Sequence, residues 1–122
     1  MSNNDHYARI TQPFGDGHHA FQFGWLEALE WEEKFGCSLF STFTSMHRTG
    51  LYLIADIKEI IRLALIGGGA KPVDALRLTE RYVEKRPLSE NMSLTLVILE
   101  AAFFGADAPA PDAELVVEST NG

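Results

Sequence analysis

At 122 residues the chain has room for one core and not two, and 46% apolar against 22% charged residues describes a globular sequence rather than a disordered one. A formal charge of −7 sets it against the phosphate backbone, so nucleic acid is not expected as a ligand. The longest apolar run, Leu94–Phe104, is broken by Thr95 and Glu100 and falls well short of the roughly 20 residues of a bilayer span, so no membrane partner is expected either. A polar start without a leader and a single cysteine, Cys37, suggest a reducing, cytoplasmic setting.

Residues 1–6 are expected to be a disordered lead-in, and residues 7–105 a single α-rich domain. Tyr7–Gln12 and His18–Phe23 read as two short strands around Pro13-Phe14-Gly15-Asp16-Gly17, both glycines supplying the positive φ of a reversal. Phe21 and Phe23 share one face of the second strand. Pro13 belongs at a strand end or edge, and the hairpin needs helices or a partner's sheet to cover it.

Trp25–Phe35 has helical spacing, with Trp25, Ala28 and Leu29 continuing through Trp31 and Phe35, and Gly36 as its C-cap. Ser38 suits the N-cap of a short apolar helix carrying Leu39, Phe40, Phe43 and Met46, stopped at Thr49-Gly50. Leu51–Ile66 sets Leu53, Ile54, Ile57, Ile60, Ile61, Ala64 and Leu65 against Asp56, Lys58, Glu59 and Arg62, and Gly67-Gly68-Gly69 closes it as cap and linker. Pro72 opens a fourth helix that runs to Lys85, and Ser89 caps a fifth that ends near Phe104. From Ala106 to Gly122 the segment reads as a disordered acidic tail holding four acids and no base, which leaves the preceding residues at −3; Leu115-Val116-Val117 is its one sticky element. The fold class is therefore mainly α, an N-terminal β-hairpin followed by about five helices in a compact bundle.

Catalytic chemistry is hard to place. His6, His18, His19 and His47 lack the spacing of a zinc site, and His18-His19 point to opposite strand faces, so no metal is expected. Cys37 has no nominated base, and the Glu27, Glu30, Glu32 and Glu33 cluster reads as a solvated face balanced in part by Glu30 to Lys34. The glycine cluster follows a helix instead of preceding one, unlike a phosphate loop. No cofactor is expected and no enzyme is read here.

Eight phenylalanines and two tryptophans are a heavy aromatic load for one small core, and a leftover apolar patch marks an interaction site. The candidate protein-binding residues are Phe21, Phe23, Trp25, Leu29, Trp31, Ile57, Ile61, Phe103 and Phe104, with a groove expected between the first helix and the Ile54–Ile66 helix.

The stretch from Phe23-Gly24-Trp25 through Leu29-Glu30-Trp31 to Gly36-Cys37-Ser38-Leu39 resembles the small tail protein of the gene transfer agent family, and Ile54-Ala55-Asp56-Ile57 through Arg62 to Gly67-Gly68-Gly69 is similar to its second signature. Such proteins resemble phage tail assembly chaperones. The resemblance implies a small helical protein that binds the tape measure protein and recruits tail tube subunits in the host bacterial cell. It supplies no catalytic residues. The alternative is a structural tail component, tube or minor tail, that adds strand to strand through the hairpin edge as a homo-oligomer and stays in the particle.

Overall fold

The computed structural model describes residues 7–107; residues 1–6 and 108–122, including His6 and most of the acidic tail, lie outside the described residues. Strands β1 (Arg9–Phe14) and β2 (Gly17–Gln22) form an antiparallel hairpin, followed by α1 (Trp25–Phe35), α2 (Leu39–Thr49), α3 (Ile54–Gly67), α4 (Pro72–Thr79) and α5 (Met92–Phe104). The mainly α fold with its leading hairpin is as expected. Its core joins Phe14, Phe21 and Phe23 of the hairpin region to Trp31, Leu39, Phe43, Ile60, Ile61, Leu65 and Leu99 of the helices.

The reversal is tighter than the glycine pattern suggests. Phe14 pairs with Gly17, so the loop is Gly15-Asp16 alone. Only Gly15 takes positive φ, at 61°, while Gly17 is an ordinary strand residue. The Tyr82 ring lies against Gly15, where any Cβ would collide with it, and meets Phe14 edge-on at 5.8 Å. Pro13 pairs with His18, one step from the closing pair, where its missing N–H faces away from β2 and no ladder bond is lost.

Helix ends follow local chemistry at α1 and α2. Gly36 and Gly50 take left-handed φ of 68° and 72°, and the Ser38 hydroxyl accepts from the Ser41 N–H at 3.1 Å. The next helix begins at Ile54 and not at Leu51, because the Gly50 cap sends the chain into an extended link whose Leu51 N–H still donates to the Ser45 carbonyl at 3.4 Å. The fourth helix holds α geometry only to Thr79, then widens into a π turn, Glu80–Glu84. Thr79 is fully buried and its hydroxyl bonds back to the Ala75 and Leu76 carbonyls. Ser89 does not cap α5. Asn91 precedes that helix, and its side-chain amide donates to the Tyr82 carbonyl at 2.9 Å.

The glycine cluster serves a purpose beyond capping. Gly67 lies inside α3 and Gly68 has φ −80°, so neither needs glycine for its dihedrals; only Gly69, at φ 119°, does. A Cβ on Gly67 would strike the Gln22 carbonyl oxygen and one on Gly68 the Ala20 carbonyl. These are the carbonyls that β2 turns away from β1, so the end of α3 lies backbone to backbone along the hairpin's outer edge. Arg9 fastens the junction, donating to the Gly68 carbonyl and to Gln22 Oε1, both at 3.0 Å.

Replacing Gly68 by Ala is expected to lower stability by about 1–3 kcal/mol, because strand backbone cannot give way. Gly17→Ala, with open space around it, should change stability by less than about 0.5 kcal/mol. Urea unfolding of the two variants measures the contrast.

Candidate protein-binding groove

Helix α1 divides its apolar residues between two faces. Ala28, Trp31 and Phe35 turn inward at helical spacing, Trp31 fully buried with its ring 4.9 Å from that of Phe35. Trp25 and Leu29 turn outward, 74% and 55% exposed, with Leu26 beside them. The rotation of α1 is set partly by charge. Glu59 of α3 is buried, takes two hydrogen bonds from Arg62 at 3.0 and 2.6 Å, and meets Lys34 of α1 at 3.3 Å. Burial acts to raise the Glu59 pKa, but the Arg62 guanidinium and then Lys34 outweigh it and hold the carboxyl below its ordinary range. Lys34, expected to balance Glu30 along its own helix, thus ties α1 to α3.

Two more glutamates of the α1 cluster have structural duties. Glu27 Oε1 accepts from the Gly24 N–H at 2.9 Å, and Glu32 Oε2 accepts from the Leu39 N–H at 2.8 Å, linking the end of α1 to the start of α2. Across this junction the end of α5 packs on α2 through aromatic rings: Phe103 stacks on Phe43 at 5.0 Å and meets Phe40 edge-on at 5.7 Å, while Phe104 lies 6.0 Å from Phe43.

Between these elements lies an open groove of about 460 Å³, lined by Tyr7, Trp25, Leu29, Leu39, Phe40 and Phe103 among others. Phe40 is 61% exposed at its rim. Of the nine residues singled out from the sequence, four line it: Trp25, Leu29 and Phe103, and the buried Phe23 beneath them. Phe21, Phe23, Trp31 and Ile61 are fully buried and Ile57 nearly so; their place is the core. Phe104 is half exposed just beyond the groove. The groove does not run between α1 and α3 as expected, because those helices are joined by core packing and the Lys34–Glu59 pair. Its walls are α1, α2 and the end of α5. Tyr7 and Phe40 were missed; the outward position of Phe40, three residues before buried Phe43, is fixed by α5 and leaves no local signal.

Among the described residues, no group of three His, Cys, Asp or Glu side chains could hold a metal ion, and no helix is long and apolar enough to cross a membrane. His19 contacts Asp16 at 3.0 Å, His47 lies by Phe43, and Cys37 is exposed just ahead of the α2 cap.

An open apolar groove on a small helical body is the kind of surface at which other proteins bind. Residues 8–105 match the family of the phage tail tube protein GTA-gp10, and the chain belongs to that family. The match spans nearly the whole described body and every groove wall except Tyr7, and it bears out the gene transfer agent resemblance; a tail tube family is structural, not enzymatic. No curated protein and no solved structure matches the chain.

The two tryptophans should respond differently to truncation. Trp31→Ala is expected to cost about 3–5 kcal/mol and Trp25→Ala less than about 0.5 kcal/mol in urea unfolding. Glu59 also predicts a pH response. Its folded pKa lies below its unfolded value, so its stabilisation is complete above the ordinary carboxylate pKa of about 4.3 and fades as pH falls through the lowered folded value. Glu59→Gln should therefore cost about 1–3 kcal/mol at neutral pH and progressively less in acid, as read from unfolding midpoints across that range.

Proposed function

We propose that the chain is a tail assembly factor that seats apolar faces of the tape measure protein's amphipathic helices in this groove and recruits tail tube subunits, acting in the cytoplasm of the host bacterial cell. The observation that carries this reading is the groove itself. Trp25, Leu29 and Phe40 stand exposed around one concavity, and helix-in-groove recognition uses anchors of this kind. Charge adds a preference. Glu30 and Glu33 are exposed on α1 and Glu32 lines the groove, which favours helices with Lys or Arg beside their apolar stripe.

A second reading, a tube component retained in the particle, is supported by the family's description and by the outer side of β1, where Arg9, Thr11 and Pro13 are exposed. Strand addition there would build a homo-oligomer. A repeating array by strand addition needs a donor and an acceptor edge on each subunit, and the outer edge of β2 is covered by Gly67 and Gly68.

Co-expression with a tape measure fragment is expected to raise the fragment's solubility, and Trp25→Asp with Leu29→Asp to abolish that gain while leaving the chain folded. Undiminished rescue by the double variant would remove the groove from the account. Mass spectrometry of purified particles separates the two readings, since an assembly factor is scarce there and a tube component abundant.

A further inference from the structure

We propose that in the chain by itself the groove is occupied by the chain's own Leu115-Val116-Val117, which a partner helix must displace. The displacement rests on the helix-binding reading above; the intramolecular seat does not.

The geometry begins at the end of α5. Ala102 and Phe103 line the groove, α5 stops at Phe104, and the Ala106 N–H donates to the Tyr7 carbonyl at 2.6 Å. Tyr7 is itself a groove wall, so the chain leaves the described body at the groove's rim. Eight residues, Asp107 to Glu114, separate that anchor from Leu115. At about 3.3 Å per residue they reach roughly 26 Å at most, enough for Leu115 to enter a groove whose wall is the anchor point.

Chemistry selects the segment. Between Asp107 and Gly122 the only large apolar side chains are Leu115, Val116 and Val117, and the groove walls are predominantly aromatic and aliphatic. Tethering makes the local concentration of such a segment millimolar, so even weak apolar contact fills the site much of the time. Charge keeps the seat weak. Asp112, Glu114 and Glu118 would approach Glu30, Glu32 and Glu33 of α1, so like charges oppose the seat and added salt strengthens it. A helix carrying Lys or Arg meets the same glutamates with the opposite sign. The segment thus covers the apolar surface without holding it against a basic partner.

Acrylamide quenching of the full chain tests the seat, because Trp25 is exposed and Trp31 buried, leaving Trp25 to report. The comparison is with Leu115→Asp/Val117→Asp, which changes only residues beyond the described body. Quenching of the native chain is expected to be lower by about twofold, in line with millimolar effective concentration. A nitroxide on the exposed Cys37, two residues before the groove wall Leu39, is expected to broaden the amide signals of residues 115–117. Both effects should persist on dilution and grow with salt. Equal quenching in the two proteins, or no broadening, overturns the proposal; shielding that disappears on dilution also overturns it, by assigning the seat to a second copy. A synthetic amphipathic helix with a Lys-flanked apolar stripe separates the two claims. Tighter binding to the variant supports both. Equal binding with Trp25 equally open leaves the assembly reading and removes the seat; shielding without helix binding to either protein leaves the seat and removes the assembly reading.

Discussion

Everything that positions the groove depends on how closely the end of α3 approaches the backbone of β2. Gly67 and Gly68 lie against the Gln22 and Ala20 carbonyls with no room for a side chain between, and Arg9 closes the contact on the Gly68 carbonyl. This contact fixes the hairpin on the helices, which drives Phe21 and Phe23 into the core. Gly24 then starts α1 directly from the end of the strand, with Glu27 bonded back to its N–H. Trp25 therefore leaves the sheet on the outer side while Trp31, nearly two turns on, is buried. The groove is what remains when α1 turns one apolar face to the core and α2 with α5 cannot close over the other.

Buried charge also refines that arrangement. Glu59 gathers Arg62 from its own helix and Lys34 from α1, which fixes the rotation of α1 about its axis. Losing one partner would leave a buried charge unpaired, which is costly, so the pair holds α1 in place. Asp56, buried in the first turn of α3, has its pKa pushed up by burial. Their opposite shifts on one helix show partnership, and not burial alone, deciding which carboxylate favours the charged form.

Local chemistry made much of the fold legible in the sequence. Gly36, Ser38 and Gly50 act as the caps their residue types suggest, and the boundaries of α1 and α2 follow from them. What was not legible was non-local. The glycine cluster reads as a linker until a strand is seen lying on it, and Ser89 reads as a cap until Asn91 is found engaging Tyr82. In the groove, Trp25 and Leu29 were recognisable as parts of an apolar helix face, but their separation from Trp31 was not, because periodicity defines an apolar face and leaves its orientation to the packing partner. Phe40 belongs with them only because Phe103 arrives from a helix more than fifty residues away.

The central claim is that the outward face of α1, with α2 and the end of α5, receives the apolar face of a tail assembly partner. Hydrogen exchange on the full chain, with and without a tape measure fragment, tests it most directly. The account predicts added protection in Trp25–Leu29, Leu39–Phe43 and Ala102–Phe103. Protection confined to β1, or unchanged exchange around the groove in a complex that does form, would contradict it.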